Sequence, residues 1–186
     1  MAHYLDLLLR PDPETAPQQL MAALFAKLHR TLVQLGSTGI GVSFPEYKAA
    51  PPYLGSTLRL LGTKEDLLRL MGQPWLTGLQ DHIEQAAAKP VPAHATHRRL
   101  SRVQAKSSPE RLRRRQMKRH GLTEQEALAR LPDACAETLA LPFLMVRSAS
   151  TEQSFRLFLR CEPASASAGG LFNAYGLSTT ATIPWF

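Results

Sequence analysis

The sequence is poor in the features that mark secreted and membrane proteins. It has two cysteines in 186 residues, Cys135 and Cys161, and they lie far apart. Such a pair does not form a disulfide framework, so we expect free thiols in a reducing compartment. The N-terminal segment MAHYLDLLLRPDPE has an acid at Asp6, no basic leader region, and an apolar run too short to span a membrane. We therefore expect a cytoplasmic protein that does not contact membranes.

The sequence also lacks the usual signatures of metal and nucleotide sites. No carboxylates are paired at the close spacing typical of a two-metal nuclease, and no Gly-rich turn between a strand and a helix suggests a phosphate cradle. His94 and His97 have no further Cys or His nearby, so they do not predict a zinc site. We expect no cofactor. A nuclease without metal should act on RNA, because its 2′-hydroxyl is a built-in nucleophile that DNA does not have.

Positive charge is abundant and is concentrated in one short window. Between His97 and His120 the sequence has ten of the 22 Lys and Arg residues and one of the 15 Asp and Glu residues, Glu110. The rest of the chain, with 12 basic and 14 acidic residues, is close to neutral, although the whole chain has a net charge of +7. Basicity confined to one region is typical of a phosphate-binding surface.

The first half of the chain has the element order of an α+β fold. In order, the predicted elements are a strand at 4–9, a helix at 17–35, strands at 39–44 and 56–61, and a helical segment at 64–83 interrupted by Gly72 and Pro74. A last strand near Val91 would complete a ferredoxin-like arrangement, with two helices on one face of an antiparallel sheet.

The Pro-rich stretch QAAAKPVPAH suggests a domain boundary, so we divide the chain into 1–92 and 93–186. In the second part, Ser108 followed by Pro109 predicts the start of a helix that spans 109–120. Thr123 and Glu126 form a capping box that predicts another short helix. The segments PFLMVRSAS, FRLFLRC, LFNAYGL and ATIPWF predict antiparallel strands.

The helix predicted at 109–120 is strongly basic on one side. Within an arc of about 140°, at 100° per residue, lie Arg111, Arg114, Arg115, Lys118 and Arg119. A solvated charged helix is the alternative, but the acids that would compensate the charge at i,i+4 are missing apart from Glu110. The pattern favours phosphate binding, and charge alone does not distinguish RNA from DNA or a membrane.

The segment SRVQAK precedes this helix and is predicted to be extended. Strand alternation places Arg102, Gln104 and Lys106 on one face. Arg and Gln have the paired donors and acceptors that match guanine and adenine edges. A charged edge strand is the alternative, but the neighbouring basic helix favours base recognition.

Three further positions are candidates for chemistry or contact. His29 lies at the border of the apolar stripe of the first helix, about 80° from its centre, where an imidazole suits general acid–base chemistry; a residue that merely fills the helix edge is the alternative. The stretch RSAST offers Ser148, Ser150 and Thr151 as a phosphate or ribose clamp, or else a hairpin turn. Phe155 is either core or a stacking platform for a base.

These residues lie in blocks that resemble the type I-F CRISPR repeat-processing endoribonucleases. The similarity extends from HYLDL at His3 to PWF at the end of the sequence, which is nearly the whole chain. The matching blocks are RPDPE, LFAKLH, IGVSFP, SRVQAKSSPERLRRR, LPF, RSAST, FRLF, YGLS and PWF.

The resemblance implies a ferredoxin-like catalytic domain at 1–92 and an RNA-binding domain at 93–186, whose arginine-rich helix enters the groove of a repeat RNA hairpin. It implies that His29 is the general base for the 2′-hydroxyl, that Ser148 holds the ribose, and that Tyr175 orients them. The implied RNA contacts are Arg102 and Gln104 to bases, Arg114, Arg115 and Arg119 to phosphates, and Phe155 stacked under the terminal base pair.

The resemblance further implies metal-independent cleavage at the 3′ base of the hairpin, giving a 2′,3′-cyclic phosphate and a 5′-hydroxyl. The monomer would keep its product and join the type I-F surveillance complex. Lys118 stands where the family often has arginine, so we expect a bidentate phosphate grip to weaken there to a point charge. Ala149 stands where the family can have a polar residue, so we expect a contact to be missing there. A non-catalytic subunit that binds the RNA hairpin, or a DNA-binding regulator, are the alternatives.

Overall fold

The computed structural model describes residues 1–104, 109–132, 139–147 and 152–186, with the side chains of Pro109 and Arg111 also left out. Within these ranges the fold has four α-helices and nine strands in two antiparallel sheets, which confirms the predicted α+β class. The strands are β1 (His3–Leu9), β2 (Gly41–Ser43), β3 (Thr57–Gly62), β4 (Ile83–Gln85), β5 (Lys89–Pro90), β6 (Thr96–Val103), β7 (Phe143–Arg147), β8 (Ser154–Ala164) and β9 (Ile183–Trp185). The helices are α1 (Pro17–Leu35), α2 (Lys64–Met71), α3 (Pro109–His120) and α4 (Glu124–Arg130).

The first sheet has the strand order β2-β3-β1-β4, with β5 also paired to β1, and every pair is antiparallel. In β1 the residues Leu5, Leu7 and Leu9 are buried, and the residues between them are more exposed. This period of two places one apolar face against the core. The helices α1 and α2 follow β1 and the β2–β3 pair along the chain and pack on this sheet.

The boundaries of α1 are the predicted ones and have local causes. Pro17 occupies the first turn, where a missing N–H costs nothing. Gly36 ends the helix in the left-handed conformation, and the N–H of Ser37 donates to the main-chain oxygen of Leu32 at 3.1 Å. Between them one face of the helix is buried, through Leu20, Met21, Leu24, Phe25, Leu28, Thr31 and Leu32.

The second sheet has the order β7-β8-β6-β9, again antiparallel throughout. Its inner face is apolar, and α1 contacts β7 on that side. The helix therefore packs against elements of both sheets. The buried residues of the inner face are Leu100, Leu144, Val146, Leu157 and Leu159.

Contacts divide the chain into two compact units, the first made of Met1–Val103 with Leu141–Phe186 and the second of Gln104–Ala140. This division differs from the predicted boundary at residue 92, because β9 contacts β2 and thereby joins both sheets in one unit. A division of roles at residue 92 stays a prediction. In the second unit the capping box of Thr123 and Glu126 is present at the start of α4.

Two predicted elements are wrong. The helical segment expected at 64–83 is interrupted at Gly72 and Pro74 as predicted, but it does not resume as an α-helix: a 3₁₀ turn at Gln80–His82 follows, and Ile83 begins β4. The segment LFNAYGL is not a strand but a hydrogen-bonded turn, in which the N–H of Asn173 donates to the main-chain oxygen of Leu177 at 2.9 Å. The strand expected near Val91 is the short β5, and β4 supplies a further partner for β1.

A buried arginine ties the end of the chain to the first sheet. Arg59 on β3 is 8% exposed and donates to both carboxylate oxygens of Asp6, at 2.7 and 2.9 Å. It also donates to the main-chain oxygen of Phe186 at 3.0 Å, and its guanidinium lies 4.0 Å from the centre of the Phe186 ring. Because the charge is paired and hydrogen-bonded, its burial is tolerated.

We predict that Gly176→Ala destabilises the protein more than Gly36→Ala, although both glycines have positive φ, 68° and 57°. Nothing lies within 4 Å of a Cβ added at Gly36. Gly36→Ala should therefore lower the free energy of unfolding only through the strain of its left-handed backbone, by about 1–2 kcal/mol. A Cβ at Gly176 would lie 2.6 Å from Cγ1 of Val42, which adds an overpacking cost of about 1–3 kcal/mol. Urea unfolding measures both, and equal free energies of unfolding would contradict the close contact.

Candidate active site

A cavity of about 850 Å³ opens between α1 and the β7–β8 end of the second sheet, within the first compact unit. It brings together four of the predicted site residues, which are His29, Arg102, Phe155 and Tyr175. The other lining residues are Ala26, Arg30, Val33, Gln34, Val146, Arg147, Glu152, Gln153 and Ser154.

His29 is half-buried on α1 and is held by one main-chain hydrogen bond. Its Nδ1 lies 2.8 Å from the main-chain oxygen of Ala174. A carbonyl oxygen only accepts, so the neutral imidazole carries its proton on Nδ1. The lone pair is then on Nε2, which is available to accept a proton.

Tyr175 covers one face of this imidazole. The two rings are nearly parallel, 3.9 Å apart between centroids with an interplanar angle of 7°. Phe25, one helical turn before His29, is also parallel to Tyr175, at 6.1 Å and 8°. The stack fixes the plane of the imidazole, and the hydrogen bond fixes its rotation within that plane.

The turn that carries Ala174 and Tyr175 is organised by Asn173. Its Oδ1 accepts from the N–H of Tyr175 at 2.8 Å and from the N–H of Leu177 at 3.2 Å. The main-chain oxygen of Gly176 accepts from the N–H of Val42 on β2 at 3.0 Å. The side chain of Asn173 thus stabilises the turn from within, and the hydrogen bond from Val42 attaches the turn to the first sheet.

Arg102 and Phe155 meet at the opposite wall of the cavity. The guanidinium of Arg102 lies 5.3 Å from the centre of the Phe155 ring, within the range of a cation–π contact. Phe155 pairs with Val146 across β7 and β8 and is only partly buried against the core. One part of the Phe155 ring therefore lines the cavity, and another part packs against the hydrophobic core.

The cavity is electropositive. Three arginines line it, Arg30, Arg102 and Arg147, with a single acid, Glu152, among the described lining residues. Glu152 accepts from Arg147, at 3.4 Å between Oε2 and Nη2, but both side chains are more than two-thirds exposed, so this pair is weak. The remaining positive charge favours an anionic ligand.

Several predicted site residues lie elsewhere or outside the description. Ser148, Ser150 and Thr151 fall outside the described residues, as does the side chain of Arg111. The remaining predicted residues belong to the second compact unit and are exposed: Gln104, Arg114, Arg115, Lys118 and Arg119. The cavity therefore contains predicted site residues of the first unit only, and the roles of all the predicted residues stay predictions.

One arginine of α3 has a structural contact. Nη1 of Arg113 donates to the main-chain oxygen of Leu131 at 2.8 Å, just beyond the end of α4. This oxygen is among the carbonyls that a helix leaves without an internal partner. Arg113 thus links the two helices of the second unit, whereas the arginines predicted to contact phosphate face solvent.

The described residues contain no grouping of three or more His, Cys, Asp or Glu side chains that would hold a metal ion. Over the same ranges, no helix is both long enough and apolar enough to cross a membrane. Cys161 is a free thiol, and burial raises its pKa. Cys135 lies outside the described residues.

The sequence points to Tyr175 but does not indicate that Asn173 and Ala174 help to hold the imidazole. The apolar pattern predicts a strand over both residues, and the role of Ala174 depends on a contact across 145 residues of sequence. The available signal was the pair Asn173 and Gly176, which are residue types that favour turns. Arg30 was also missed, although it follows His29 directly and lines the same cavity.

Comparison with known proteins identifies the family. The model of the CRISPR-associated protein family Cas_Csy4 matches residues 4–186. The chain belongs to this family. That result confirms the resemblance to type I-F repeat-processing enzymes, and it covers both compact units.

Similar curated proteins cover the full length of the chain. A protein of Pseudomonas aeruginosa (strain UCBPP-PA14), named CRISPR-associated endonuclease Cas6/Csy4, is 51% identical over 187 residues, with 100% of both chains covered. A protein of the same name from Escherichia coli (strain UTI89 / UPEC) is 46% identical over the same length and coverage. A solved structure described as an RAMP protein binding different RNA substrates aligns with 98% of this chain and 99% of its own, at 11% identity; its TM-score of 0.35 is too low to support any argument.

We predict that Asn173 controls the tautomer of His29. Asn173→Ala removes the acceptor that orders the turn, so the Ala174 oxygen should shift and the imidazole should populate both tautomers. Asn173→Asp keeps an acceptor oxygen at the same position and should keep the Nδ1–H form. Nitrogen-15 NMR of the imidazole separates the two forms, and identical spectra for the alanine variant and the parent protein would contradict the role of Asn173.

Proposed function

We propose that the protein is a metal-independent endoribonuclease that binds the hairpin of CRISPR repeat RNA and cleaves at its 3′ base. The observation that carries the proposal is the imidazole of His29, fixed by Ala174 and Tyr175 on the wall of an electropositive cavity. The relatives, named as CRISPR-associated endonucleases, support the substrate class.

The chemistry follows from the orientation of the imidazole. Nε2 of His29 accepts the proton of the 2′-hydroxyl, and the resulting 2′-oxygen attacks the neighbouring phosphorus. The bond from phosphorus to the 5′-oxygen breaks, and that oxygen takes a proton from water. The hydroxide left behind takes the proton held on Nε2, which restores the neutral imidazole. The products are a 2′,3′-cyclic phosphate and a 5′-hydroxyl. The nucleophile belongs to the substrate, so the protein supplies a base and alignment and needs no metal-bound water.

The remaining roles concern alignment and recognition. Ser148 holds the reactive ribose, Tyr175 orients the base, and Ser150 and Thr151 contact the backbone beside it. Phe155 stacks under the terminal base pair of the hairpin, and its position on the cavity wall, beneath the guanidinium of Arg102, supports this role. A flat ring at that place stops the duplex and leaves the next nucleotide unpaired inside the cavity.

Recognition of the hairpin rests on the basic residues. Arg102 and Gln104 read base edges, since their side chains form paired hydrogen bonds with guanine and adenine. Phosphate contacts come from the exposed cations of α3, which are Arg114, Arg115, Lys118 and Arg119, with Arg111 as a further contact. Lys118 provides a point charge and not a bidentate grip.

The finer architecture belongs to the same proposal. We assign residues 1–92 to a ferredoxin-like catalytic domain, supported by the order β2-β3-β1-β4 of antiparallel strands with α1 and α2 between them. Residues 93–186 form the RNA-binding part, with α3 as its arginine-rich helix. The protein acts in the cytoplasm as a monomer, keeps the cleaved hairpin and enters the type I-F surveillance complex.

A non-catalytic subunit that binds the RNA hairpin is the second candidate. The concentration of exposed cations on α3 would serve binding alone equally well. The ordered imidazole of His29 favours the enzyme, because simple retention of RNA does not require a fixed tautomer. A DNA-binding regulator is less consistent with a cavity that holds one imidazole and a stacking ring.

We predict that His29→Ala lowers the cleavage rate by about 10² to 10⁴-fold, which is the usual contribution of a general base. Binding of the hairpin should change little, because the phosphate contacts lie on α3. The measurement is single-turnover cleavage of labelled repeat RNA together with its dissociation constant. His94→Ala, at an exposed histidine outside the cavity, is the control and should cleave normally. Equal loss of binding and cleavage in His29→Ala would indicate a folding role.

The internal-nucleophile mechanism makes a separate prediction. A single 2′-deoxy substitution at the nucleotide before the scissile phosphate should abolish cleavage, whereas the same substitution one nucleotide away should not. Cleavage of the unmodified hairpin should continue in EDTA. Cleavage of the deoxy substrate, or a requirement for added magnesium, would falsify the mechanism. A hairpin that is bound but never cut would favour the non-catalytic subunit.

A further inference from the structure

The outer face of the second sheet carries arginines and aromatic rings that the proposed function does not use. Strand alternation buries the inner row of β7 and β8, including Leu144 and Leu157, against the core. The opposite row, which we call the arginine–aromatic face, consists of Phe143, Met145, Arg156, Phe158 and Arg160.

Three side chains of this face are in contact with one another, and the face is open to solvent. The rings of Phe143 and Phe158 are 5.5 Å apart between centroids, and the guanidinium of Arg156 lies 4.9 Å from the centre of the Phe143 ring. Phe143 is 40% exposed and Met145 is 48% exposed. Clustered apolar surface of this kind marks an interaction site more often than a merely soluble face.

The face is also positively charged. In the described part of the chain no ion pair neutralises Arg156 or Arg160. Arg99 on β6 lies in the same side-chain row, and its Nε is buried without a hydrogen-bond partner among the described residues. Among the described residues of β6, β7 and β8, Glu162 is the one acid that points to this face. The charge therefore suits an anionic partner.

The face begins at the rim of the cavity. Arg147 and Ser154 pair across β7 and β8, and both line the cavity. From that pair the row continues through Met145 and Arg156 to Phe143 and Phe158, and then to Arg160. The seven residues of β8 from Ser154 to Arg160 are separated by six steps of about 3.3 Å and so extend for about 20 Å, the length of a few nucleotides.

We propose that the arginine–aromatic face binds the unpaired RNA that leaves the cavity downstream of the scissile phosphate. This inference rests on the proposed function. Bases stack on Phe143 and Phe158, and phosphates lie beside Arg156 and Arg160. Interleaved rings and guanidinium groups match the alternation of bases and phosphates in a single strand, and stacking tolerates any sequence. The face therefore extends the footprint of the protein beyond the hairpin without adding sequence specificity.

Equilibrium binding of two non-cleavable RNAs tests the proposal. Both contain the repeat hairpin with a 2′-deoxy scissile nucleotide; one ends directly after it, and the other has a downstream tail long enough to cross the face. The tailed RNA should bind more tightly to the parent protein. The double variant Arg156→Ala with Arg160→Ala should lose that advantage, and its slope of log affinity against log salt for the tailed RNA should fall by about 1.4, or about 0.7 for each lost phosphate contact.

Matched controls separate charge, stacking and folding. Arg10→Ala with Lys48→Ala removes the same charge from exposed positions off the face and should keep the advantage of the tail. Phe143→Leu keeps the apolar volume but removes the ring, and should weaken binding of the tailed RNA by about fivefold or more. All variants should bind the short hairpin as the parent does.

The outcomes are distinguishable from a failure of the proposed function. If the parent binds both RNAs equally, or if the double variant keeps the advantage of the tail, the proposal about this face is overturned while hairpin binding stands. If the parent binds neither RNA, the proposed function fails and takes this inference with it. Equal loss for both RNAs in the double variant would place these arginines in hairpin binding and would also overturn the proposal.

Discussion

The hydrogen bond from Nδ1 of His29 to the main-chain oxygen of Ala174 is the contact on which the site depends. It joins a helix near the start of the chain to a turn near its end, and it selects which nitrogen is free to accept a proton. A histidine at the edge of an exposed helix would rotate freely and exchange tautomers. Here the stack with Tyr175 and the carbonyl of Ala174 leave it one orientation.

That single contact requires most of the first compact unit to be in place. The segment around Ala174 is tied to β2 through the N–H of Val42 and to β6 through the N–H of Ser178, which donates to the main-chain oxygen of Leu100 at 3.1 Å. The helix α1 is positioned separately by its buried face, which packs between the two sheets. Any displacement of either sheet would therefore move the imidazole relative to its acceptor. The geometry of the site therefore depends on the packing of the whole first compact unit.

The sequence predicts local features well and pairing poorly. The bounds of α1 could be read from Pro17 and Gly36, because a first-turn proline and a left-handed glycine act through their own backbones. The strands β4 and β5 have three and two residues, too few to show a period, and they exist because β1 offers a hydrogen-bonding edge. The position of His29 at a helix border is a local feature and could be predicted, whereas its contact with Ala174 joins distant segments and could not. The side-chain acceptor of Asn173, which turned a predicted strand into a turn, acts only over four residues and was hidden by the apolar pattern around it.

Repulsion among the positive charges of α3 is a second constraint on the structure. Four exposed cations, Arg114, Arg115, Lys118 and Arg119, share one side of a helix whose single acid is Glu110. Like charges at i,i+4, such as Arg114 with Lys118 and Arg115 with Arg119, destabilise a helix by a few tenths of a kcal/mol per pair, about 0.2–0.5. The contact of Arg113 with the oxygen of Leu131 offsets part of this repulsion by holding α3 to α4. A polyanion relieves the rest, because each phosphate neutralises a cation and releases counterions. Free of any anion, the helix is therefore at its least favourable. Under the proposed function RNA stabilises α3 most, whereas the imidazole of His29 is ordered without RNA. Binding energy then comes from the charged helix, and alignment comes from the packed first unit.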